Sequence, residues 1–124
     1  MGINNDKTCN FCKEHDETII HLFWNCRITQ LFLNDVKLEI ASNYNNFEIT
    51  CKEFILGNAS KNECNVLFLE LKKYIFSCKR KTIIPNKIGF KGYVQFAWNV
   101  YNNSNISDAE RDNWAVVRNI IDQV

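Results

Sequence analysis

Apolar residues recur along this chain at helical spacing in several separate stretches. The clearest runs from about Asn62 to Lys81, where Leu67, Leu71, Tyr74, Ile75 and Cys78 fall within about 100° of arc, the stripe of a core-facing helix. Residues 27–41 carry apolar side chains at 28, 31, 32 and 36, which again suits a helix. Residues 90–101 set Phe90, Val94, Ala97, Trp98 and Tyr101 on one face. A last helix opens with Ser107-x-x-Glu110, a capping-box pattern, and continues through Trp114, Val117, Ile121 and Val124. Between these stretches, Asn43-Tyr44-Asn45-Asn46 reads as a turn, and residues 48–56 are too short to choose between a strand and a helical turn. Gly57-Asn58 closes that segment, and Pro85 and Gly89 mark a loop. The pattern predicts a mainly α protein, a small helical domain over residues 28–124, with the more polar residues 1–27 left to be organised some other way.

Composition narrows the class. With 124 residues, a hydrophobic fraction of 46% and nine Phe, the chain has enough apolar mass for one packed core, and a folded chain is expected rather than a disordered one. No apolar run approaches the roughly 18 residues of a membrane span. The first residues, Met1-Gly2-Ile3-Asn4-Asn5-Asp6, lack the charged and apolar regions of a signal peptide. The expected setting is therefore intracellular, in nucleus or cytoplasm, and six cysteines there read as metal ligands and reduced thiols. The Asn-x-Ser matches at Asn58, Asn102 and Asn105 carry no weight among 18 asparagines.

The polar N-terminal end holds Cys9-x2-Cys12-x8-His21-x4-Cys26. Two cysteines with two residues between them can turn both thiolates toward one ion, and a later His and Cys close a tetrahedron. The spacing predicts one structural zinc, with four protein ligands and no position left for a reacting water. His15 competes with His21, but it lies too close to the turn already used by Cys9 and Cys12. Asp16, Glu17 and Thr18 supply acidic and capping groups where a helix can begin before Ile19-Ile20-His21-Leu22-Phe23-Trp24. Residues 21 and 26 are about 140° apart on an ideal helix, so the chain must tighten or break near Asn25 for both to reach one metal. Leu22 and Phe23 are the expected anchors beneath the site. Cys51, Cys64 and Cys78 are too scattered for a second site, and Cys78 falls on the core stripe.

Net charge is only +1, but it is unevenly spread. From Leu71 to Gly92 there are seven cations (Lys72, Lys73, Lys79, Arg80, Lys81, Lys87 and Lys91) and no acid. On the long helix Lys72, Lys73, Lys79 and Arg80 gather opposite the core stripe, with Leu69 and Phe76 among them. Such a face can follow phosphates by charge and stack a base on the ring, with Phe76 or Trp24 as the platform. Its bland counterpart is a solvated lysine face. No Gly-rich phosphate loop, nucleophile elbow or paired carboxylate gives a catalytic constellation, so the chain by itself is expected not to be an enzyme.

Cys9-Asn10-Phe11-Cys12, followed by Asp16-Glu17-Thr18-Ile19-Ile20-His21-Leu22-Phe23-Trp24-Asn25-Cys26, closely resembles the zinc-binding module that follows the polymerase in non-LTR retrotransposon reverse transcriptases. That module reads C-x2-C, a Glu-Thr, then His-Leu-Phe and a closing Cys. Phe54-Ile55-Leu56-Gly57, the helix carrying Lys72 to Arg80, and Glu110 to Trp114 are similar, more loosely, to later parts of such proteins. The resemblance implies the C-terminal part of a multidomain polyprotein that reverse transcribes element RNA at a nicked DNA target. It places the metal ligands on Cys9, Cys12, His21 and Cys26, and implies RNA or target DNA and the rest of the polymerase as partners. The Met-Gly start fits either an excised fragment or a short host gene derived from such an element. The rival expectation is a protein-interaction module whose last helices dock on the polymerase or on another copy.

Overall fold

The computed structural model describes residues 7–41, 49–57 and 62–122, with the side chains at 62–63 and 120–122 outside the description. The turn expected at residues 43–46, Asn58, Val124 and the side chain of Ile121 therefore lie outside the described residues. The described chain runs through a π-helical turn at His21–Asn25, then α1 (Arg27–Ala41), α2 (Cys51–Leu56), α3 (Asn62–Lys81), α4 (Lys87–Asn102), α5 (Asp108–Asp112) and α6 (Ala115–Asp122). Among the described residues the extended structure is a single antiparallel bridge between Thr8 and Asp16. The architecture is mainly α-helical, as the apolar periodicity predicts.

Helix α3 follows its pattern closely. Leu67, Leu71, Tyr74, Ile75 and Cys78 are all buried, while Leu69 and Phe76 among the cations are half-exposed. It ends in a Schellman-type turn, with the Ile83 N–H on the Cys78 carbonyl at 3.0 Å and the Thr82 N–H on the Lys79 carbonyl at 3.1 Å. The left-handed residue this turn requires is Thr82, at φ 55°.

Three expectations need correction, and one open choice is decided. The buried side of α1 is Thr29, Phe32, Leu33, Val36 and Ile40, and Leu31 faces outward. The true stripe is spaced three, one, three and four residues apart, so it turns away from position 31. Residues 51–56, ambiguous in sequence, are helical because Thr50 caps them, its hydroxyl accepting from the Glu53 N–H at 3.2 Å. Gly89 is not a loop residue: it sits in the first turn of α4, where its N–H bonds the Asn86 cap at 2.8 Å. A side chain there would collide with the Tyr74 hydroxyl, so glycine serves close helix approach. The final helix is two helices. Ser107 caps α5 by accepting from the Glu110 N–H at 3.2 Å. The chain then bends at Asn113 so that Trp114 lies against Trp98 and Tyr101.

The core is continuous from one end to the other. Cys9, Phe11, Cys12, Leu22 and Cys26 belong to the same buried cluster as Phe32, Phe54, Leu71, Phe90, Val94 and Val117. An aromatic seam runs through it, with the Phe32, Tyr74 and Phe90 rings in mutual contact. The N-terminal segment is thus packed onto the helices.

Candidate metal centre and adjoining basic groove

The first two cysteines sit on a tight turn. The Lys13 N–H bonds the Cys9 carbonyl at 3.0 Å, Lys13 takes a left-handed conformation at φ 58°, and the Glu14 N–H points at the Cys12 sulfur at 3.4 Å. The Cys9 N–H bonds the His15 carbonyl at 2.9 Å, which closes the loop beside the Thr8–Asp16 bridge. Thr18 caps the next segment, accepting from the His21 N–H at 3.0 Å. The expected irregularity near Asn25 is a π turn: the Cys26 N–H reaches the His21 carbonyl at 2.8 Å. One residue more per turn brings positions 21 and 26 to the same side, which an α-helix forbids. The carbonyls released by this turn are satisfied from α1. Thr29 Oγ1 donates to the Leu22 carbonyl at 2.7 Å and Gln30 Nε2 to the Trp24 carbonyl at 2.6 Å.

The result is a closed cluster. One ligand atom from each of Cys9, Cys12, His21 and Cys26 lies within 4.8 Å of every other, and all four residues are buried. Cys12 Sγ is 3.3 Å from His21 Nε2, and Cys9 Sγ is 3.8 Å from Cys26 Sγ. None of these cysteines is in a disulfide. His15 is exposed, its ring tilted against that of His21 with centroids 5.5 Å apart. Burial, with the neighbouring Cys26 thiol, pushes Cys9 up to about 11 against two backbone N–H donors. Burial acts to raise Cys12 as well, but N–H groups of Glu14 and His15 and the His21 imidazole bring it down to about 6. The set can hold one metal ion. Leu22 is buried beneath it and Phe23 is half-buried.

The loop carrying these ligands grips the far end of α3. Glu17 pairs with the Lys79 ammonium group, and Asn10 Nδ2 donates to the Lys79 carbonyl at 3.4 Å. Lys79 Nζ in turn lies 5.7 Å from the centroid of the Phe76 ring. Beyond that ring opens a groove of 570 Å³ lined by Lys73, Phe76, Ser77, Arg80 and Lys81 of α3 and Tyr93 of α4.

The eight residues singled out by sequence do not share one surface. Lys73, Phe76, Arg80 and Lys81 line the groove, and Lys79 flanks it. Lys72 leans the other way, donating to the Ile55 carbonyl at 3.3 Å over the Phe54 ring, and burial lowers its pKa. Lys87 and Lys91 both face Glu39 of α1. Lys73 pairs with buried Glu70 at 3.1 Å. Among the described residues no salt bridge engages Arg80 or Lys81. Trp24 packs on Phe54 with ring centroids 5.7 Å apart, so it does not front the groove.

Tyr93 escaped the sequence reading because it lies off the stripe through Phe90 and Val94. Its place two residues after Lys91 was the signal available. Lys73 and Tyr93 also border a second, apolar hollow of 400 Å³ with Phe96, Ala97, Val100 and Trp114. Among the described residues no helix is long and apolar enough to cross a membrane. No family model, curated protein or solved structure matches the chain.

Proposed function

We propose that this chain is a zinc-stapled nucleic-acid-binding module, non-catalytic by itself, whose contact surface is the basic groove at the end of α3. A zinc ion suits the four-ligand cluster. With Zn–S near 2.3 Å, a tetrahedron has sulfur–sulfur edges of about 3.8 Å and slightly shorter sulfur–nitrogen edges. Two edges of the cluster, 3.8 Å and 3.3 Å, are close to that shape, and all its ligand atoms lie within 4.8 Å of one another. Four buried protein ligands leave no open position, so the ion would add folding energy rather than chemistry. The Glu14 N–H directed at Cys12 Sγ holds that ligand in place.

One observation carries the link from metal to surface: the ligand-bearing loop fixes Lys79 through both its ammonium group and its carbonyl, directly behind Phe76. Arg80 and Lys81 lie on the next turn with no salt bridge among the described residues, and so supply attraction for phosphate. The resemblance of residues 9–26 to the zinc module of non-LTR retrotransposon reverse transcriptases points the same way. It makes element RNA or target DNA the natural partner and the rest of a polymerase the natural setting.

The test is a salt titration of nucleic-acid affinity for the wild type and for Arg80→Glu/Lys81→Glu. Loss of about two phosphate contacts should flatten the slope of log affinity against log salt by roughly two and weaken binding to every sequence. Unchanged affinity and slope would remove the assignment.

A second reading is favoured by the apolar hollow, where Phe96 is 72% and Val100 56% exposed. There the chain docks on a polymerase body or a second copy. Phe96→Glu should then abolish association while leaving nucleic-acid affinity unaltered.

A further inference from the structure

Building on the nucleic-acid reading above, we infer that the groove between α3 and α4 takes single-stranded nucleic acid, seating one unstacked base against the open face of Phe76. The ring is 46% exposed, a large apolar area to leave in water at the centre of a cationic surface. Lys79 does not line the groove and stands over the ring from outside it, held there by Glu17. The ring thus has Lys79 over it while the residue keeps a large exposed area and borders the groove.

The opposite wall is also aromatic and is braced. Tyr93 rests on Tyr74 with centroids 5.7 Å apart, and Tyr74 is locked by Asn86, donating to its carbonyl at 3.2 Å and accepting from its N–H at 3.1 Å. The space between the walls, 570 Å³, falls in the roughly 300–1,000 Å³ range of pockets that hold a small planar guest. Arg80 and Lys81 sit at its edge, where the phosphate attached to such a base would lie.

This arrangement discriminates by strand state. In a duplex both faces of each base are covered by neighbours, so an aromatic ring finds no face to stack on and only groove edges and the backbone remain for the protein. An unpaired base offers a face to an aromatic ring whatever its sequence, and gains stacking on top of the charge term. Charge on Arg80 and Lys81 therefore serves both forms, whereas Phe76 serves only the single strand.

Fluorescence anisotropy with labelled single-stranded RNA, single-stranded DNA and the matching DNA duplex tests this, using the intact chain and its Phe76→Leu and Phe76→Trp variants. Leucine keeps an apolar side chain of similar reach at this half-exposed site but removes the π-face. Phe76→Leu should weaken single-strand binding by about tenfold and duplex binding by less than about twofold, and Phe76→Trp should restore the single-strand value. Loss on RNA and DNA strands alike, or on one of them alone, supports the inference and says which backbone the groove accepts. Equal loss on the duplex, or no loss on any strand, overturns it even if charge reversal at Arg80 and Lys81 still abolishes binding. If charge reversal changes nothing, the nucleic-acid reading itself falls.

Discussion

Glu17, in the loop that carries the candidate metal ligands, pairs with Lys79 at the far end of α3, and both side chains are more than two-thirds buried there. The pair joins the N-terminal segment to the helix whose C-terminal turns line the groove with Tyr93 of α4. A carboxylate and an ammonium group in this setting sit between the weak exposed pairs and the costly buried ones. A double-mutant cycle with Glu17→Gln and Lys79→Met should give a coupling of about 1 kcal/mol in urea unfolding. Coupling near zero would show that the loop is held by Asn10 and apolar packing alone.

The end of α3 also stores strain. Thr82 is a β-branched residue in the left-handed region, where a glycine is the usual occupant of the turn. Thr82→Gly should raise stability by up to about 1 kcal/mol, the relief of the left-handed cost less the added chain entropy of glycine. Chemical denaturation with unchanged m-value would check it, and a destabilised variant would mean that the Thr82 side chain makes a compensating contact.

Gly89 and Tyr74 form a complementary case. Gly89→Ala drives a methyl group into the Tyr74 hydroxyl, which is buried and holds both backbone groups of Asn86. The cost should be about 1–3 kcal/mol, read from the midpoint of thermal or denaturant unfolding. Tyr74→Phe alone should lose about 1 kcal/mol of hydrogen bonding. The double variant should be more stable than the sum of the two losses, because the atom that clashes is gone. Strict additivity would mean that the helices part rather than collide.

These contacts explain what the sequence could and could not disclose. The Cys9, Cys12, His21 and Cys26 cluster was legible because its order and spacing are themselves the signal, and even the break near Asn25 followed from helix geometry. Helix α3 was legible because twenty residues of one period outweigh local noise. Cys51–Leu56 holds fewer than two turns, too few to set a period. Gly89 was misread because glycine signals a breaker locally, whereas its role depends on Tyr74, which only the packed structure brings to it. The cationic band misled for a similar reason. Glu17, Glu39 and Glu70 all lie outside residues 71–92, yet they neutralise Lys79, Lys87, Lys91 and Lys73 across the fold.

If zinc staples the N-terminal segment, its removal should act locally first. The ligand loop owes its shape to short turns and a π turn, and apart from its cysteines Phe11 and Leu22 are its buried apolar side chains, with Phe23 and Trp24 half-buried. The centre of the fold instead rests on Phe32, Tyr74 and Phe90, none of which is among the four candidate ligands. Chelation should therefore raise amide hydrogen exchange over residues 7–26 and at the end of α3 near Lys79, while Leu67–Ile75 and Phe90–Val94 stay protected. Native mass spectrometry should find one zinc in the parent chain, one in His15→Asn, and none in Cys9→Ser/Cys12→Ser. Uniform loss of protection on chelation would make the metal a determinant of the whole fold. No bound zinc in a folded parent would leave the four residues as a buried thiol cluster and detach the groove from metal control.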